Sequence, residues 1–92
     1  MIENLTNEQL VDAAKNYGTP LYVYNADRIK IQYQKLTSAF NQGKVRFFYA
    51  CKALTNINIL KVVNEMGCSV DCSSINEAKL ALYAGFNPSQ VL

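Results

Sequence analysis

Histidine and tryptophan are absent from the 92 residues, and only two prolines and four glycines interrupt them. The lack of histidine excludes general acid–base catalysis by that side chain within this segment. The three cysteines, Cys51, Cys68 and Cys72, form no C-x-x-C pair and supply too few ligands for a structural zinc site, so no metal is expected. Their odd number, with no secretory signal in the opening MIENLTNEQL, is the pattern of reduced thiols. No apolar run approaches the length of a membrane span, and the default expectation is a soluble cytoplasmic protein. Excess charge of one sign is also missing. The net charge is +2, and the nine basic residues are scattered rather than gathered on a face, so neither nucleic acid nor a membrane is expected as a partner.

What is present is apolar patterning. Half of the residues are hydrophobic, enough for one small packed domain at most. The pattern alternates between helix and strand signals. Thr6 and Gln9 have the spacing of a capping box, apolar Leu10, Val11 and Ala14 follow, and Gly18 is a helix stop before Thr19–Pro20. Leu21–Tyr24 reads as a short strand. Asn25 caps a second helix whose face carries Ile29, Tyr33, Leu36 and Phe40, with Gly43 as its stop. Val45–Ala50 is a second strand, apolar except for Arg46, as suits a strand covered on both faces in a parallel sheet. Asn56 caps a third helix bearing Ile59, Leu60, Val63 and Met66, ended by Gly67. Val70–Ser73 is a third strand. Ser74 and Glu77 repeat the capping-box spacing before a helix that stops at Gly85, and Gln90–Leu92 opens a further strand after the Asn87–Pro88 turn. Strands alternating with helices predict βα units around a parallel sheet. A closed (β/α)8 barrel needs about 250 residues. The expectation is therefore an α/β fold, a truncated part of such a barrel.

Lys52 stands at the carboxyl end of the second strand, where α/β folds place their ligands. Two readings of it stay open from the residues alone. Partial burial would lower its pKa and leave a neutral amine able to form a Schiff base with an aldehyde; otherwise it is a strand-end lysine reaching for water. Phe48, Ala50 and Lys52 share one parity. In the third strand Val70 and Cys72 share the parity expected to face the helices, which leaves Asp71 on the other side. A carboxylate and an amine from adjacent parallel strands can then meet near the carboxyl ends. A structural ion pair, or an Asp71 that only caps its turn, accounts for the spacing equally well.

Four blocks, in order, resemble the fold-type III pyridoxal-phosphate decarboxylases. Tyr49-Ala50-Cys51-Lys52-Ala53 resembles their Y-A-x-K-A motif, and Thr19-Pro20-Leu21-Tyr22-Val23-Tyr24 the entry segment of diaminopimelate decarboxylases. Val70-Asp71-Cys72-Ser73-Ser74 with Glu77 resembles the D-x-x-S-x-x-E block, and Ala84-Gly85-Phe86 with Pro88 the turn that follows it. The resemblance covers roughly residues 17 to 92. It implies a barrel of the alanine racemase/group IV decarboxylase type, its first βα units over residues 26–92. Residues 1–25 then form an amino-terminal helix and a strand completing a β-sandwich domain. It further implies pyridoxal 5′-phosphate as cofactor, linked to Lys52, with Asp71 close by and Glu77 in a supporting role that a plain capping residue also fills. Cys51 and Tyr49 are read as core. The implied reaction is decarboxylation of an amino acid, meso-diaminopimelate to L-lysine first, by a homodimer in the full-length protein. Ornithine, arginine or carboxynorspermidine remain as substrates, and a non-catalytic homologue acting as a binding protein remains as a role. Leu54 stands where many relatives have asparagine, and Ser74-Ile75-Asn76-Glu77 lacks the two glycines of S-G-G-E, which loosens the substrate more than the cofactor. A racemase fits less well, because Lys52-Ala53-Leu54-Thr55-Asn56 does not match the longer K-A-N-A-Y-G-H-G stretch. The family's phosphate-binding glycines and substrate-reading residues lie downstream of the matched blocks, so residues 1–92 alone are expected to be inactive.

Overall fold

A computed structural model describes residues 5–40 and 44–92. Among the described residues, four helices form where the caps place them: α1 (Asn7–Tyr17), α2 (Ala26–Ser38), α3 (Ile57–Glu65) and α4 (Ile75–Ala84). At the start of α1, Thr6 and Gln9 exchange the two bonds of a capping box. Asn25 and Asn56 each accept backbone N–H groups of the first turn, at 3.1 Å and 2.9 Å for the shorter bond. Gly85 ends α4 at φ 110°, a left-handed conformation that favours glycine. Helix α2 finishes at Ser38, and the expected stop at Gly43 lies outside the described residues.

Strands β1 (Phe48–Ala50) and β2 (Ser69–Asp71) pair in parallel, with Phe48 opposite Ser69 and Ala50 opposite Asp71. The expected opening of a further strand is present as a single parallel bridge from Val91 to Val70, extended by a 2.9 Å bond from the Leu92 N–H to the Val70 carbonyl. Gln90 belongs instead to the 3-10 turn Pro88–Gln90. Spatial order thus follows chain order, as successive βα units require.

The expected strands are shorter than their apolar runs. β2 stops at Asp71: the Cys72 N–H still makes a ladder bond to the Leu92 carbonyl, but the Ser73 N–H turns to the Glu77 carboxylate. Leu21–Tyr24 has no ladder partner among the described residues, and its four side chains are exposed. β-formers favour an extended chain, but a strand exists only in a ladder.

The core lies between the sheet and α3 and α4: Leu60, Val63, Val70, Ala81, Ala84 and Phe86 are buried with Cys51 and Cys68. Val70 and Leu60 are fully buried, each contributing roughly 1.5–3 kcal/mol from apolar burial. Tyr33 of α2 and Phe40, just past its end, meet the Phe47 ring before β1 edge-on at 6.1 Å and 5.8 Å. Arg46, the one charge in the apolar run, stays exposed. Its guanidinium lies 5.0 Å from the centre of the Phe48 ring and donates to the Ser89 carbonyl.

Candidate functional site

The carboxyl ends of β1 and β2 carry the residues singled out by the sequence. After Ala50 the chain does not run on as a strand. Cys51–Ala53 winds into a 3-10 turn, closed by a 3.2 Å bond from the Leu54 N–H to the Cys51 carbonyl. Lys52 is the middle residue of that turn. The strand-end position is as expected, but the partial burial is not: Lys52 is exposed. Cys51 beside it in the turn is fully buried. The expected shared face with Phe48 and Ala50 ends where the strand ends.

Asp71 is exposed at the last position of β2, paired with Ala50 across the ladder, two residues before Lys52. The structure therefore brings amine and carboxylate to neighbouring strand ends. No ion pair joins them among the described residues, so the structural-pair reading gains no support. Glu77 is half-buried in the first turn of α4. Its carboxylate accepts the Ser73 N–H at 2.8 Å, while the Ser74 hydroxyl accepts the Glu77 N–H at 3.2 Å. The expected reciprocal box is thus offset by one residue. Its carboxylate bond fixes the backbone between Asp71 and α4.

The thiols surround the rear of this edge. Burial pushes the Cys51 thiol up to about 11, helped by the Cys72 thiol and then by the Glu77 charge. Burial also raises Cys72, with Glu77 adding to it, and raises Cys68. All three are free, and their burial favours the neutral thiol.

One residue of the site was read from sequence only as core. Tyr49, half-buried, points its ring among the core side chains, yet its hydroxyl donates to the Leu54 carbonyl at 2.9 Å. No sequence pattern signals a bond between a strand residue and the exit of the following turn. Tyr49 and Leu54 also line an apolar cleft of about 420 Å³ between α2, β1 and α3.

An aldehyde cofactor needs a primary amine within reach, at a strand end, with polar groups beside it; Lys52 with Asp71 fits that need. Among the described residues there is no group of three or more metal-ligating side chains, and no helix is long and apolar enough to cross a membrane. A family model described as the pyridoxal binding domain of pyridoxal-dependent decarboxylases matches residues 26–92. Among curated relatives, a diaminopimelate decarboxylase of Methanothermobacter thermautotrophicus is 44% identical over 84 residues, covering 89% of this chain and 20% of the relative. One from Campylobacter jejuni is 37% identical over 78 residues, covering 85% and 19%. An L-glutamyl-[BtrI acyl-carrier protein] decarboxylase of Niallia circulans is 32% identical over 89 residues, covering 97% and 21%. The chain spans about a fifth of the length of these relatives.

Proposed function

The chain belongs to the pyridoxal-dependent decarboxylase family through its pyridoxal-binding domain, and on that premise we propose that the full-length protein decarboxylates an amino acid, with pyridoxal 5′-phosphate held on Lys52. The observation that carries this reading is the exposed lysine in a tight turn at the end of a parallel strand, with Asp71 ending the next strand.

The cofactor, when bound, accepts the electron pair left as carbon dioxide departs. The chain's own residues do the holding. The Lys52 amine would hold the cofactor covalently. Asp71 sets a negative charge beside that amine and the cofactor. Glu77, through the Ser73 N–H, steadies the turn that follows Asp71.

The substrate we favour is meso-diaminopimelate, giving L-lysine, because relatives bearing that activity in their names match at 44% and 37% identity. Ornithine, arginine and carboxynorspermidine are the runners-up. The Niallia circulans relative motivates including glutamyl substrates in the screen. In this reading residues 26–92 are the first βα units of an alanine racemase-type (β/α)8 barrel. Residues 1–25 supply a helix and a strand to a β-sandwich domain, and the active form is a cytoplasmic homodimer. The test is release of carbon dioxide by the full-length protein, supplied with pyridoxal 5′-phosphate and each amino acid in turn. Lysine formation from diaminopimelate supports the reading; folded, cofactor-loaded protein that decarboxylates none of them refutes it and leaves the binding homologue.

A further inference from the structure

We infer that Tyr49 is a positioning residue for Lys52: its hydroxyl locks the exit of the turn that presents the amine to an aldehyde ligand. The inference rests on the reading that Lys52 bears the cofactor.

The turn is anchored on three sides, and Lys52 itself supplies none of them. The Cys51 side chain is fully buried beneath its first residue. The Leu54 N–H closes it onto the Cys51 carbonyl at 3.2 Å. The Leu54 carbonyl, pointing the other way, is held by the Tyr49 hydroxyl at 2.9 Å. Only the third anchor comes from a side chain reaching across five residues, from strand to turn exit. Leu54 leaves the turn with extended backbone, φ −163° and ψ 113°, so the chain changes direction at the residue Tyr49 grips. An exposed lysine has four rotatable bonds of its own, and every degree of freedom left in its backbone adds to the volume the amine searches. Fixing that backbone raises the share of time the amine spends where an aldehyde can be attacked.

The phenol is suited to this work. Burial raises its pKa, with the nearby Cys51 thiol adding to the effect, so it stays a protonated donor across the neutral range. Its ring packs against the buried core cluster, which ties the grip on Leu54 to the core.

The test uses the full-length protein, stripped of cofactor and remixed with pyridoxal 5′-phosphate. Samples are quenched with borohydride at timed intervals, and the pyridoxyl adduct at Lys52 is counted by mass spectrometry. Tyr49→Phe keeps the ring and removes the hydroxyl. The expected result is an adduct still confined to Lys52 but formed roughly threefold to tenfold more slowly, the range for one lost hydrogen bond. Leu60→Ala, which weakens the same core but leaves the Tyr49 hydroxyl and its bond to Leu54 in place, is expected to leave that rate within about twofold of wild type wherever the protein is folded. An unchanged rate in Y49F, or an equal slowing in L60A, overturns the inference. Where Y49F does not fold, Tyr49→Met fills a similar space without a donor and is read by the same two criteria. Absence of any Lys52 adduct in the wild type overturns the cofactor reading itself, an outcome visible before any variant is made.

Discussion

Cys51 is one residue from the proposed cofactor lysine, yet its thiol should be among the least reactive in the protein. Burial, then the Cys72 thiol and the Glu77 charge, push it from an ordinary value of 9.0 up to about 11. At pH 8 an ordinary thiol is about one-tenth thiolate, whereas one titrating near 11 is about one-thousandth thiolate. Alkylation proceeds through the thiolate, so Cys51 should react with iodoacetamide roughly a hundredfold more slowly than an exposed thiol, before its burial is counted. The same shift gives a stability signature. The folded value lies above the unfolded one, so the stability Cys51 contributes is fully present below about pH 9 and is lost as pH rises toward 11. The assay is labelling of the native full-length protein at several pH values, with peptide mass spectrometry reporting each cysteine and urea unfolding reporting stability. Labelling of Cys51 at pH 8 as fast as a free thiol, in protein shown to be folded, refutes the burial that anchors the Lys52 turn.

Other perturbations follow from the core and caps. Leu60→Ala empties a fully buried site and should cost about 2–5 kcal/mol by urea unfolding; a cost under about 1 kcal/mol would place Leu60 outside the core. Asn56→Ala removes the acceptor for two first-turn donors of α3 and should cost about 0.5–2 kcal/mol by the same measurement, with Asn56→Ser restoring most of it. Gly85→Ala forces a side chain into φ 110° and sets its Cβ 3.1 Å from the Asn64 Nδ2 atom. It should destabilise by more than about 1 kcal/mol, and a neutral result would contradict the αL stop of α4.

Local chemistry was the readable part of this chain. Thr6, Asn25, Asn56 and Ser74 each cap the helix their side chains announced, because a cap needs partners only two or three residues away. Strand extent was less readable, because it depends on distant partners. Leu21–Tyr24 has β-forming residues but no ladder among the described residues, and β2 ends where the Ser73 N–H turns to Glu77. The candidate site divides the same way. Parity and spacing put Lys52 and Asp71 at neighbouring strand ends. Those signals could not foresee that the chain turns at Cys51, exposes Lys52, and is held from behind by the Tyr49 hydroxyl.

The central claim is the covalent role of Lys52, and one measurement addresses it directly. Full-length protein is loaded with pyridoxal 5′-phosphate, reduced with borohydride, digested and mapped by mass spectrometry. A single pyridoxyl adduct is expected, on Lys52, and lost in Lys52→Ala. Folded protein that carries no adduct at Lys52, or carries it on another of its lysines, contradicts the account.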